Sequence, residues 1–262
     1  MLVNMNELLL PAMKGRFGVG FFNAVTEEMA HAVIDTAEEL NAPVIIGTAE
    51  VLLPRMPLDE VAAYLVPMAQ KASVPVCIHY DHGLTREKCL EALDLGFTSL
   101  MYDCSTLSYE ENIKNLAEMA ALCHKRGCTI EGELGHVGDN EGKGKLTNPS
   151  DYFTAPATAA EYVSGTKVDA LAVAVGNAHG EYKFPPKLDF ERISTISSLT
   201  SIPLVLHGGS GLADSDFTEA VRRGICKINI FTDLDNASAD GLEAMKTVVK
   251  NKIELFGSVG KA

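Results

Sequence analysis

The stretch Val74-Pro75-Val76-Cys77-Ile78-His79-Tyr80-Asp81-His82-Gly83 decides how this chain is read. Its apolar first half has the length and composition of a buried strand, and a helical pattern follows it. Two imidazoles and a carboxylate at the carboxyl end of such a strand make a poor core and a good reaction centre. Two other apolar runs finish the same way: Ala170 to Val175 leads into His179-Gly180, and Ile202 to Leu206 leads into His207-Gly208-Gly209. Three strand-terminal histidines point to one shared metal.

Outward from that stretch, short apolar runs alternate with amphipathic ones. Strands are expected over residues 17–22, 43–46, 74–78, 98–103, 129–134, 170–175, 202–206 and 226–230. Between them, one helix starts at Thr26 with Met29, Val33, Ala37 and Leu40 on a single face, and another carries Leu58, Val61, Ala62, Leu65 and Met68. Ser108 and Glu111 form a capping box for a helix that stops near Gly127. Further helices begin near Asp214 and about Leu234. Eight strand–helix units in 262 residues fit a (β/α)8 TIM barrel, one α/β domain over 1–262, better than an open doubly wound sheet. Such barrels keep their sites at the carboxyl ends of the strands, where every polar cluster here lies. The long polar loop from Gly135 to Ser150 reads as a lid or active-site loop.

Composition narrows the function. A chain with 47 % hydrophobic residues can bury a full core, and a net charge of −13 argues against a nucleic-acid partner. The charge leaves room for a phosphorylated substrate, because phosphate sites are local and built largely from backbone N–H groups. No apolar stretch approaches the run of about 20 that spans a bilayer. Met1-Leu2-Val3-Asn4 lacks the basic-then-apolar order of a secretory signal, so a cytoplasmic protein without a membrane partner is expected. The six cysteines contain no Cys-x-x-Cys pair and fit a reducing compartment.

His82, His179 and His207 offer three neutral nitrogens with one position left open, the ligand set of a catalytic zinc. Asp81, beside His82, serves as a general acid/base or as the partner that orients a histidine. Asp103 and Glu133 end neighbouring strands and supply a second or displaced metal position. Glu131, two residues earlier on the same strand face, joins them or forms a structural ion pair. His31, His124 and His136 read as surface or loop residues. Gly208-Gly209-Ser210-Gly211 opens into the helix near Asp214 and can cradle a phosphate, and Asn229 to Thr232 completes the paired phosphate site of the last two barrel units.

His79-x-Asp81-His82-Gly83, Glu131-x-Glu133-Leu134-Gly135, Ala178-His179-Gly180, Leu206-His207-Gly208-Gly209-Ser210-Gly211 and the terminal Phe256 to Ala262 together resemble the class II, metal-dependent ketose-bisphosphate aldolases, most closely their fructose- and tagatose-bisphosphate group. The resemblance runs in order through nearly the whole chain. It implies a zinc ion on His82, His179 and His207 that polarises the carbonyl of dihydroxyacetone phosphate and stabilises its enediolate. It implies Asp81 as the acid/base at the aldehyde-derived oxygen and Glu141, in the long loop, as the glutamate exchanging the dihydroxyacetone-phosphate proton. Asp103 and Glu133 match the second metal position. Gly180, Gly208, Gly209, Ser210, Asn229 and Thr232 match contacts to phosphate and to a monovalent cation, Na+ or K+, and Asn23 matches a substrate asparagine. A homo-oligomer, dimer or tetramer, is the expected assembly.

The departures bear on substrate choice. Gly47-Thr48-Ala49 stands where the family usually has Gln-Thr-Ser, which removes a hydroxyl near the ketone. Phe231 replaces a small or polar residue in the last phosphate loop, and Asp139 stands where a glycine is usual. The region between Ala239 and Val248 is shorter than in typical members, losing a segment that helps place a basic residue for the second phosphate. An aldehyde other than glyceraldehyde 3-phosphate is therefore expected. Three rivals stay open: a degenerate barrel that binds a sugar phosphate, a Schiff-base aldolase using Lys227, and a hydrolase using zinc-bound water.

Overall fold

A computed structural model describes residues 1–137, 153–179 and 186–262. The chain opens with β1 (Leu2–Val3) and α1 (Met5–Gly15), then alternates: β2 (Val19–Asn23), α2 (Glu27–Glu39), β3 (Val44–Ala49), α3 (Leu58–Lys71), β4 (Val76–Gly83) and α4 (Arg86–Asp94). It continues with β5 (Ser99–Tyr102), α5 (Tyr109–Lys125), β6 (Thr129–Leu134), α6 (Pro156–Thr166), β7 (Ala170–Val173) and α7 (Phe190–Thr200). The last units are β8 (Leu204–Leu206), α8 (Asp214–Arg223), β9 (Ile225–Ile230), α9 (Thr232–Ala237) and α10 (Leu242–Phe256). All pairings are parallel, and β2 to β9 close into a ring of eight strands, since β4 pairs with β5 and β9 returns to β2. This is the expected single (β/α)8 barrel.

The strand pattern explains the closure. Outward residues such as Phe22, Ile46, Ile78, Leu100, Ile130, Leu171, Leu204 and Ile228 pack under the helices in one apolar cluster. Inward residues near the strand starts, Val19, Phe21, Ile45, Cys77, Ala170, Ala172, Val205 and Cys226, form a second cluster with Met5, Leu8, Leu9 and Ala12 of α1. The N-terminal mouth is thus plugged by a helix, and β1 pairs with the start of β4 beside it. The plug is absent from the reading above, whose first element is residues 17–22. Its signal is in the sequence: Met5, Leu8, Leu9 and Ala12 share a helical face, and Asn4 with Glu7 makes a reciprocal capping box. Pro11 inside the helix obscures that pattern.

The helix expected from about Leu234 is corrected to two. Six-residue α9 ends at Ala237, a 3-10 turn spans Ser238–Asp240, and Gly241 at φ 87° admits the bend into α10. That break lets α10 pack against both α2 and α8 and complete the outer helical ring. Thr26 caps α2 through its side chain, and the Ser108–Glu111 box opens α5, both as expected. No helix among the described residues is long and apolar enough to cross a membrane.

Candidate active site

The carboxyl end of the barrel brings His82, His179 and His207 together. Nε2 of His82 lies 2.9 Å from Nδ1 of His207 and 3.2 Å from Nε2 of His179, and the third edge of this triangle is 3.4 Å. A tetrahedral ion with nitrogen ligands at about 2.0–2.1 Å requires nitrogen separations of about 3.3 Å. The triangle has that size.

Two of the rings, His82 and His207, are turned by what their other nitrogen does. Nδ1–H of His82 donates to Oδ2 of Asp103 at 2.8 Å, and Nε2–H of His207 donates to Oε1 of Glu131 at 2.7 Å. Carboxylates accept only, so in the neutral rings these bonds leave Nε2 of His82 and Nδ1 of His207 with lone pairs facing the centre. His82 takes φ 45°, and the β4–β5 register shifts between Tyr80 and Gly83 around it. The four other described non-glycine residues with positive φ, Arg16, Asn41, Lys167 and Ser201, sit at or just beyond helix ends. A left-handed histidine inside a bulged strand end is strain kept at a working site. Gly208, at φ 63°, lets the β8 loop lie against the backbone of Ala178, where a Cβ would meet the carbonyl oxygen at 2.0 Å. Only glycine permits that approach, which brings the His179 and His207 loops side by side.

Charge around the triangle favours a cation. Burial disfavours charged His82, yet Asp81, Asp103 and Glu133 outweigh it and raise its pKa to about 10. His179 is pushed down to about 3 by burial and by the neighbouring rings of His82 and His207. Burial likewise lowers His207. Burial and the negative charge of Asp103 raise Glu133 to about 8. Oε2 of Glu133 is buried without a hydrogen-bond partner, while Oε1 accepts from the backbone of Val137 at 2.9 Å. A converging set of imidazole nitrogens, surrounded by carboxylates and one orphan oxygen, is chemistry that a divalent ion fits. Asp103 and Glu133 form a second grouping with His82, their ligand atoms within 4.8 Å of one another. In this conformation Asp103 is already engaged, by His82 and by Ser105 through both backbone and hydroxyl.

Asp81 is buried beside the triangle, with Oδ2 4.0 Å from Nε2 of His82 and Oδ1 3.6 Å from Nε2 of His79. The side-chain amide of Asn229 donates to both of its oxygens at 3.3 Å. Burial opposes ionisation of Asp81, but His82, His79 and Lys227 hold its pKa well below the usual carboxylate range. A cavity of about 590 Å³ opens over this group; Asn23, Asp81, His82, Gly208, Ser210, Asn229 and Thr232 are among its walls. The side-chain amide oxygens of Asn23 and Asn229 are buried and unpartnered, ready to accept a ligand hydroxyl. The β8 and β9 loops are neighbours, tied by the Asp233 amide donating to the Ser210 hydroxyl at 3.4 Å. Gly180 and Glu141 lie outside the described residues, as does most of the expected lid loop.

Beneath the triangle lies an array that the sequence reading only half anticipated. Glu131 is the ion-pair member: Oε2 accepts from Nζ of Lys227 at 2.8 Å, and both side chains are fully buried. Nζ of Lys227 also lies 4.6 Å from the centre of the Phe21 ring. Lys227 is not among the described residues that line the cavity and its Nζ is held by Glu131, an arrangement that opposes a Schiff-base role. His79 is wholly buried, with Nδ1 on the Ser99 hydroxyl at 2.8 Å. His136 lies in the loop after β6, as expected, and there at the rim of the cavity, bonded to Ser105 and 3.8 Å from Glu133. Spacing after Glu133 was the available signal for His136. His79 and Lys227 face inward through strand alternation alone.

A parallel barrel with three imidazoles converging at its carboxyl end, beside glycine-rich and asparagine loops, has the layout of a barrel enzyme with a candidate metal centre. The chain belongs to the class II fructose-bisphosphate aldolase family, whose model matches residues 3–261. It is 39 % identical over 267 residues to the protein YdjI of Escherichia coli K12, covering 96 % of each chain. It is 35 % identical over 285 residues to a fructose-bisphosphate aldolase of Staphylococcus epidermidis, covering 100 % of this chain and 99 % of that one. A crystal structure of the YdjI aldolase superposes with a TM-score of 0.91 at 37 % identity over 100 % of both chains. Fructose-bisphosphate aldolase of Campylobacter jejuni, at 22 % identity and a TM-score of 0.83, covers 100 % of this chain and 97 % of its own and shares the fold. The protein is thus a lyase by family, and the family is generally metal-dependent.

Proposed function

We propose that the protein is a zinc-dependent aldolase that reversibly cleaves a ketose phosphate into dihydroxyacetone phosphate and an aldehyde other than glyceraldehyde 3-phosphate. One observation carries the reading: the nitrogen triangle of His82, His179 and His207, with edges of 2.9, 3.2 and 3.4 Å, stands beside buried Asp81 and next to the β8 and β9 loops. When bound by the three histidines, a zinc ion supplies Lewis acidity to a ketone oxygen.

The remaining work falls to the chain. The glycine-rich β8 loop from Gly208 to Ser210, with Asn229 and Thr232, holds the ketose phosphate at the β8 and β9 ends, the Gly209 N–H tying the two loops together through the Asn229 carbonyl at 3.1 Å. Asn23 receives a substrate hydroxyl on its unpartnered oxygen. Asp81, kept ionised by its neighbours, takes the proton from the C4 hydroxyl. The C3–C4 bond then breaks, C4 leaves as the aldehyde carbonyl, and the electron pair of that bond stays with C3 beside the ketone. A proton delivered to C3, by Glu141 on the family resemblance, completes dihydroxyacetone phosphate. A monovalent cation near the phosphate belongs to the same reading.

The test needs no knowledge of the aldehyde. Zinc-loaded protein in deuterated water should exchange one C3 hydrogen of dihydroxyacetone phosphate, followed by NMR, and a chelator should abolish the exchange. Ala49 and Phe231 favour a second reading, a barrel that binds a sugar phosphate without turning it over. Saturable binding of dihydroxyacetone phosphate with no exchange would establish that reading and end the first.

A further inference from the structure

The aldehyde has to sit against Asp81, so the walls next to Asp81 decide what it carries. On the adjoining strand its register partner is Ala49. The turn that follows contributes Val51 and Leu52, the residue just past β4 is Leu84, and Phe231 and Val137 face the same cavity from the β9 and β6 loops. Val51 is 67 % exposed and Leu84 55 % exposed, so large apolar groups stand open at the rim. They are held there deliberately. Oε2 of Glu50 accepts from the Leu84 amide at 2.7 Å and from the Tyr80 hydroxyl at 3.0 Å, locking the turn after β3 onto the end of β4. Glu50 itself is not among the described residues that line the cavity.

No lysine or arginine is among the described residues that line this cavity. Arg55 is near but committed: its guanidinium makes two bonds to Asp235, at 2.8 and 2.9 Å, and stacks 5.7 Å from the centre of the Phe231 ring. His136, the ring at the rim, is tied to Ser105 and faces Glu133. Among the described residues, a second phosphate on this wall would meet apolar carbon and the carboxylates of Asp81 and Asp103, with no lysine or arginine to replace its water. An alkyl carbon would lose unfavourable hydration on the same wall.

We propose that this subsite takes an unphosphorylated 2-hydroxyaldehyde whose far end is an alkyl carbon, so that the ketose is a terminally deoxygenated ketose 1-phosphate. The inference rests on the aldolase reading above. Cleavage follows the same balance of bond and proton, with a methyl-ended aldehyde leaving from C4.

The experiment compares kcat/KM of the zinc-loaded enzyme for three ketohexose phosphates, with both configurations at C3 and C4 included. They are the 6-deoxy 1-phosphate, the plain 1-phosphate and the 1,6-bisphosphate. The deoxy substrate should exceed the plain 1-phosphate by about five- to tenfold and the bisphosphate by about a hundredfold. Leu84→Asn should draw the ratio of the first two toward one. Preference for the bisphosphate or for a plain hydroxymethyl end overturns the proposal, as does an unchanged ratio in Leu84→Asn. If dihydroxyacetone phosphate still exchanges its proton, only this subsite assignment fails. If exchange is absent too, the aldolase reading fails with it.

Discussion

Lys227→Met isolates what the buried array contributes. Lys227 and Glu131 are both fully buried, Nζ is 2.8 Å from Oε2, and the other oxygen of Glu131 holds His207 at 2.7 Å. Methionine keeps most of the length against Phe21 and removes the charge, which leaves a carboxylate buried with one histidine donor. Breaking a buried pair from one side costs about 3–5 kcal/mol. A second route gives a similar figure. Burial opposes ionisation of Glu131, but Lys227 and His207 bring its pKa from 4.5 down to about 2, worth about 3 kcal/mol of folding stability. For a chain of this size the melting temperature should fall by roughly 6–20 °C. Because the folded pKa is depressed, this stability is complete above about pH 4.5 and is lost as pH falls toward about 2. The variant should therefore show a flatter acid limb as well as a lower plateau. Urea unfolding of metal-free protein between pH 3 and 8 measures both. The double variant Lys227→Met with Glu131→Gln removes both charges and should recover most of the loss. A single-variant cost under about 1 kcal/mol, or strictly additive losses in the double, would refute the reasoning.

Asp81→Asn should cut ketose phosphate cleavage by about 10²–10⁴-fold while metal content, read by plasma emission, stays near one per chain. Asp103→Asn replaces an acceptor that fixes the His82 ring and should weaken zinc binding about 10–100-fold in a competition titration with a chromogenic chelator. Leu9→Ala empties part of the plug under the barrel and should cost about 2–5 kcal/mol in urea unfolding, with zinc affinity unchanged because the centre lies at the opposite mouth.

Much of the barrel was legible because its signals are local. The residues 129–134 strand, the Thr26 cap and the Ser108–Glu111 box depend on side chains close in the chain, and the structure reproduces them. The plug α1 carried a local signal too, but a proline inside it and its position ahead of the first strand hid it. The break after Ala237 depends on how α10 must lie to reach α2 and α8, which is a demand of the closed ring. At the site, the histidines were found because each ends an apolar run. The roles of their partners were not, since Glu131 and Lys227 are 96 positions apart and meet only across the barrel.

By itself the sequence determined which residue types stand at the strand ends: three imidazoles, a cluster of carboxylates and glycine-rich turns, each written in a few consecutive positions. Only the tertiary structure decided which nitrogen of each ring faces the centre, that Asn229 holds Asp81, that Glu131 is shared by His207 and Lys227, and that Ala49, Val51 and Leu84 form one wall. The physical reason is closure. A parallel barrel converts distant strand ends into neighbours within a few ångströms, and bonds of that range, to a metal or to a carboxylate, exist only once the ring has shut.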